Sequence, residues 1–197
     1  MRVLSIDVET SGLIPAYDFI TQIGAVVMDG GEVVSEPFYT ACQPNWDKFK
    51  IAVTAAEIQT GGLVGFIEWI ESLKSAPVGS EVARMFCDWA QRNGVQELPN
   101  IAYKADFDWA FLESRLFCFT SVFKTPALSP IWIDVLNMAR RHFGKTLSNN
   151  SLDSVIVALE LGIERSGHDA LQDAILCGKV FDALGGAYPQ LTKNEQQ

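Results

Sequence analysis

The sequence predicts an α/β fold: a mixed five-stranded sheet, three antiparallel strands followed by parallel strands, flanked by helices. Three observations point to it. Two apolar runs, Arg2–Val8 and the β-branched-rich Ile20–Met28, precede a third, Glu32–Cys42. The turn signal Asp29-Gly30-Gly31 joins the second run to the third as a hairpin. Beyond them, short apolar runs alternate with helical periodicity, the pattern of βαβ crossings and parallel pairing.

Taken in order, Arg2–Val8 ends at the breaker Thr10-Ser11-Gly12 and reads as a buried strand. Gln43–Pro77 mixes Pro, Gly-Gly and several Trp and Phe, which predicts short helices in a variable loop. Ser80–Gly94 sets Val82, Phe86, Trp89 and Ala90 on one helical face, with Gly94 as its stop. Ile101–Tyr103 is a short strand after Pro99-Asn100, and Asp108–Phe117 a helix. Pro130–Asp134 is an apolar run leading into a helix, Val135–Phe143. Leu152–Leu161 is a further helix stopped by Gly162, and a last one runs from about His168 to Leu184, after Ser166-Gly167. With no repeat, low-complexity run or linker, one domain is expected over residues 1–185, with a polar tail at 186–197.

The chain of 197 residues is 48% hydrophobic and 20% charged, enough to bury a core and unlike a disordered segment. Its 24 acids against 15 bases give a net charge of −9. That excludes a broad basic surface gripping nucleic acid, though not an enzyme that meets phosphates through bound cations. Cys42, Cys87, Cys118 and Cys177 form no C-x-x-C pair, and with only two histidines a zinc cage is not expected. Reduced thiols in the cytoplasm fit that usage. The start, Met1 to Asp7, turns acidic too soon for a signal peptide. The most apolar window, Ile51–Ile70, carries Glu57, Gln59, Glu68 and three glycines, so no membrane span is expected.

Acids stand at the predicted strand and helix ends. Asp7 and Glu9 are two apart on the first strand, so their side chains share one face. Two unpaired charges on a buried strand are costly. A hard divalent cation, Mg²⁺ or Mn²⁺, resolves the cost; a solvated strand end beside a Lys or Arg does so too. Tyr103-Lys104-Ala105-Asp106-Phe107-Asp108-Trp109-Ala110-Phe111-Leu112 places two more acids where a strand gives way to a helix. Either also suits a plain N-cap. In Gly167-His168-Asp169-Ala170-Leu171-Gln172-Asp173, His168 stands five residues before Asp173 at a helix entrance. His142, by contrast, ends a helix beside Arg140-Arg141 and complements its dipole.

Together, Asp7-Val8-Glu9-Thr10-Ser11-Gly12, Phe107-Asp108…Phe111-Leu112 and His168-Asp169-Ala170-Leu171…Asp173 resemble the DEDD, or DnaQ-like, superfamily of 3′–5′ exonucleases. The resemblance spans Arg2 to about Leu184 and falls in the His-containing subgroup, because His168 precedes Asp173 by five. Thr21 to Val27 looks like the family's second strand, and Ile133-Asp134-Val135-Leu136 like its last strand end. It implies an RNase H-like fold and a two-metal-ion exonuclease acting at the 3′ end of DNA or RNA, releasing nucleoside 5′-monophosphates. Asp7, Glu9, Asp108 and Asp173 match the metal-binding acids, and His168 the general base, for two divalent ions, Mg²⁺ or Mn²⁺. Asp108 is preferred to Asp106 because Phe107 precedes it and Phe111-Leu112 follow at the family's interval. Thr10 and Gly12 match the stretch facing the terminal nucleotide, and Leu13 would pack on its base or sugar. Lys104 stands where the family often has Asn, and would bring a positive charge to a phosphate.

Single-stranded DNA is favoured slightly over RNA. Phe107, Trp109 and Phe111 are stacking candidates, though core packing suits Phe111 better. Lys104, Lys124, Arg140, Arg141 and Lys145 form either a phosphate track or scattered surface charge. Leu116 to Phe119 with Val122-Phe123 is an apolar stretch suited to core or to a homodimer face. The rival readings are a catalytically weak nuclease-like nucleic-acid-binding module and an RNase H-type endonuclease. All the expected catalytic residues are present, which opposes the first; the His168/Asp173 motif opposes the second.

Overall fold

The computed structural model describes residues 1–49, 63–118, 128–147, 149–165 and 167–186. Its centre is a mixed sheet. Strand β1 (Val3–Thr10) pairs antiparallel with β2 (Ile20–Asp29) on one side. On its other side lie the parallel strands β5 (Asn100–Ala102) and, beyond it, β6 (Trp132–Asp134). The outer edge of β2 takes two short strands, β3 (Glu32–Val33) and β4 (Phe38–Ala41), both antiparallel.

The single third strand expected over Glu32–Cys42 is therefore two, and among the described residues the sheet has six strands in five positions. The break has a local cause. Val34 still donates to the Val27 carbonyl at 2.8 Å, but the Val27 N–H turns to Ser35 Oγ at 2.9 Å. Pro37, with no N–H to give, cannot continue the ladder. The β2–β3 turn is as expected: Gly30 and Gly31 both have positive φ, the left-handed pair that a two-residue hairpin needs.

Among the described residues, six helices cover the sheet: α1 (Leu63–Ser75), α2 (Gly79–Asn93), α3 (Ala105–Phe111), α4 (Val135–Phe143), α5 (Leu152–Ala158) and α6 (Ala170–Ala183). α1 is a regular helix of 13 residues, longer than the short helices expected between Gln43 and Pro77. α3 runs on into a π-helical turn, Leu112–Leu116. α5 stops at Ala158 rather than Leu161, because Glu160 takes a positive φ of 53° that no helix accepts. α2 ends as expected, with Gly94 in the left-handed conformation.

The two faces of β1 separate the two halves of the core. Leu4, Ile6 and Val8 pack with Val82, Phe86 and Trp89 of α2 and with Phe111 and Leu112. Val3 joins Val26, Met28, Ile133, Val155, Ala174, Val180 and Phe181 on the opposite side, under α4, α5 and α6. Helix α6 buries Ala170, Ala174, Leu176, Cys177, Gly178, Val180 and Phe181, nearly its whole circumference. Ser5 Oγ donates to the Ala174 carbonyl at 2.6 Å, fixing α6 on β1. Gly24 permits the closest approach: a Cβ there would stand 2.3 Å from the Ala170 backbone. Because side chains alternate along β1, Asp7 and Glu9 share the α6 face with Ser5.

Leu116 is buried and Phe117 stacks against Phe86 and Trp109, so this part of the apolar stretch belongs to the core. Phe119, Val122, Phe123 and Lys124 lie outside the described residues, as do Ser166 and the tail beyond Gly186. All four cysteines are free thiols. Among the described residues, no helix is long and apolar enough to cross a membrane.

Candidate active site

At the carboxyl end of β1 the chain leaves a cleft of about 660 Å³. Asp7, Glu9, Asp108, His168 and Asp173 all line it, together with Thr10, Gly12, Leu13 and Lys104. Each sequence-predicted site residue thus reaches one place, from three separate stretches of chain. Asp106 does not: it is exposed on the first turn of α3 and lines no part of the cleft.

The acids are held by different means. Asp7 and Glu9 arrive on the strand, opposite Gly24 and Gln22 of β2, and a register shift after Glu9 opens the backbone at Thr10. Asp108 enters on the first turn of α3, only 3% exposed, and accepts a hydrogen bond from the Val8 N–H at 3.1 Å. Asp173 comes from the first turn of α6 and is 4% exposed. Helix α6 starts where Asp169, not His168, caps it, accepting from the Gln172 N–H at 2.9 Å. His168 is thereby freed from capping and stands at the mouth, its side chain 39% exposed. Its Nδ1 lies 3.4 Å from Glu9 Oε1 and 3.9 Å from Asp173 Oδ2. Tyr39 of β4 holds the same turn by a hydrogen bond to Asp169.

Crowding acids out of water shifts their ionisation. Burial pushes the Asp108 carboxyl up to about 8, although the Val8 N–H works the other way. Burial and the neighbouring Asp108, Asp173 and Glu9 raise Asp7 well above the carboxylate range. Asp173 also rises through burial, offset by Arg165. Arg165 brings one positive charge to the four crowded acids, and a divalent cation would provide more. Ligand atoms of Glu9, His168 and Asp173 lie within 4.8 Å of one another, so the donor set and its spacing fit hard-cation binding.

The remaining predicted contacts divide. Thr10 Oγ1 donates to the Gly12 carbonyl at 2.7 Å, shaping the turn. Leu13 is 80% exposed at the rim, an apolar side chain without core packing. Lys104 is exposed at the entrance to α3, near Asp108. Phe107 lines the cleft, whereas Phe111 is fully buried and Trp109 packs on Trp132. Arg140, Arg141 and Lys145 are exposed but line no part of the cleft.

Sequence reasoning missed Arg165 and the segment Asn149-Asn150-Ser151, which complete the lining. Tyr103, missed as a site residue, anchors that segment through its hydroxyl, which donates to the Asn150 carbonyl at 2.9 Å. Arg165 binds both oxygens of Asp173: Nε donates to Oδ1 at 2.6 Å, and Nη2 meets Oδ2. Nη2 also contacts His168 Nδ1 at 2.9 Å, and Nη1 reaches Asp153 Oδ2 at 3.3 Å. Nothing in one sequence distinguishes this arginine from an ordinary loop charge; only its place three residues before His168 hints at it.

A sheet with β1 at its centre, acids at its carboxyl end and a histidine turn above them defines the architecture of a DnaQ-like exonuclease domain. The chain belongs to the exonuclease family of the RNase T type, whose model matches residues 4–181. It is 34% identical over 176 residues to the PolC-type DNA polymerase III of Thermotoga maritima, covering 89% of this chain. It is 28% identical over 181 residues to the Bacillus cereus PolC-type enzyme. In both cases the match spans only 11% of the polymerase. The fold is RNase H-like, as in exonuclease I. A structure of that enzyme superposes with a TM-score of 0.73 at 21% identity, over 95% of this chain and 41% of the other. The zinc-bound complex of E. coli exonuclease I with single-stranded DNA gives 0.72 at 20% identity, with the same coverage.

Proposed function

We propose that this domain is a two-metal-ion 3′–5′ exonuclease of the His-containing subgroup, which releases nucleoside 5′-monophosphates. The observation that supports it best is the convergence of Asp7, Glu9, Asp108, Asp173 and His168 on one cleft. The four acids would hold the divalent ions, Mg²⁺ or Mn²⁺, which supply water activation and charge stabilisation at the leaving oxygen. His168, exposed at the mouth on a turn that Asp169 anchors, takes up the proton of the attacking water. Leu13 and Phe107 offer apolar surface to the terminal base and sugar, and the Thr10–Gly12 turn limits the depth a 3′ end reaches. Lys104 meets a phosphate from the α3 side. Single-stranded DNA is the substrate proposed, in line with the DNA polymerases it resembles and with the DNA bound by the exonuclease I neighbour.

The test is digestion of 5′-labelled DNA and RNA oligonucleotides with Mg²⁺, Mn²⁺ or EDTA. A ladder shortening from the 3′ end with either ion, and none in EDTA, is the expected result. Full activity in EDTA overturns the metal reading. Binding without cleavage under every condition leaves a nuclease-like binding module instead.

A further inference from the structure

Arg165 is bonded to Asp173, one of the acids that the metal reading assigns to a cation. Its side chain is only 12% exposed, and its fork closes on both oxygens of Asp173. A carboxylate gripped on both oxygens by a guanidinium has its two syn lone pairs occupied and its charge neutralised, so it attracts a metal ion far less than a free carboxylate does. The same guanidinium reaches His168 Nδ1 at 2.9 Å. Arginine has donors only, so Nδ1 must accept, and a neutral ring then keeps its proton on Nε2. In this arrangement neither ring nitrogen is free to take a proton from water. Asp153, exposed at the rim, holds the third nitrogen at 3.3 Å and gives the guanidinium an anchor outside the acid cluster.

We infer that Arg165 is a built-in counter-cation that closes the site at rest and must leave Asp173 before a divalent ion is held there. The inference rests on the metal reading above. It assigns Arg165 two roles of opposite sign. Without metal it stabilises the fold by neutralising the acids; with metal it is a competitor that lowers apparent affinity. Swinging toward Asp153 releases Asp173 and His168 together, so metal loading and freeing of the base are one event.

The experiment is calorimetric titration of Mn²⁺ into the wild-type chain, Arg165→Gln and Arg165→Lys, without nucleic acid, with folding checked by circular dichroism. Losing a charge-assisted pair should tighten Mn²⁺ binding by roughly 10- to 100-fold in Arg165→Gln. Arg165→Lys, which keeps the charge but not the fork, should fall between. The melting temperature of Arg165→Gln should lie below wild type in EDTA, and the gap should close in saturating Mn²⁺. In wild type, the Arg165 Nε–H resonance should be protected from exchange without metal and lose that protection on adding Mg²⁺, a measurement that needs no variant. Unchanged or weaker Mn²⁺ binding in Arg165→Gln, or unchanged Nε–H protection, overturns the competition while leaving the metal site standing. Failure of all three proteins to bind Mn²⁺ removes the metal site and the inference with it.

Discussion

Val8 and Asp108 stand a hundred positions apart in the chain, yet the amide of one donates to the carboxylate of the other at 3.1 Å. This bond ties the entrance of α3 to the end of β1 and selects which acid of Asp106 and Asp108 enters the cleft. Asp108→Asn is therefore expected to remove nearly all turnover while the chain stays folded. Asp106→Asn, on the exposed side of the same turn, is expected to keep most of it. Steady-state rates on a labelled oligonucleotide check this, and reversed effects would shift the motif by two residues.

Metal-free stability should fall as pH rises. An unfolded aspartate ionises near about pH 4, whereas Asp108 in the folded chain holds its proton until about 8. Between those values the folded state binds more protons than the unfolded, so the slope of stability against pH is negative. Asp7 and Asp173 shift in the same direction. Melting in EDTA from roughly pH 5 to pH 8 should show a falling Tm, and Asp108→Asn a shallower fall. Mg²⁺ should flatten the curve. A Tm in EDTA that climbs over this window contradicts the buried-acid account.

His168→Ala should lose roughly 10²–10⁴-fold in turnover, the usual share of general acid–base catalysis. Because Asp169 caps α6, stability should hardly change. Equal turnover per folded molecule in both proteins removes His168 from the chemistry.

Gly24→Ala tests how α6 is seated. The added methyl meets backbone at 2.3 Å rather than a side chain that can turn aside. Overpacking of this kind costs about 1–3 kcal/mol. It should also push the His168 turn away from Glu9, so turnover per folded molecule should drop as well. Full activity at normal stability would mean that α6 can retreat without disturbing the acids.

Much of this was legible in the sequence, for reasons that residues show. Strands β1 and β2 are long and buried on both faces because helices cover both, and their apolar runs announced them. The acids were legible because a charge on such a strand demands a partner. The split of the third strand was not, because Ser35 acts through a side-chain bond that periodicity does not register. The end of α5 depends on the backbone of Glu160, a residue with no turn signature. Arg165 escaped because its meaning lies in Asp173 and Asp153, eight and twelve positions away and brought to it by the fold.

The bond from Ser5 to Ala174 spans 169 positions, nearly the entire chain. Closing so long a loop comes late in folding, after local helices have formed. Hydrogen-exchange pulse labelling during refolding should find β1 amides protected no earlier than those of α6. During synthesis Asp7 and Glu9 therefore emerge well before Asp173 and stand without it until α6 has followed. The acid cluster has to wait for α6, which leaves the site unbuilt in every copy that stops short of that helix.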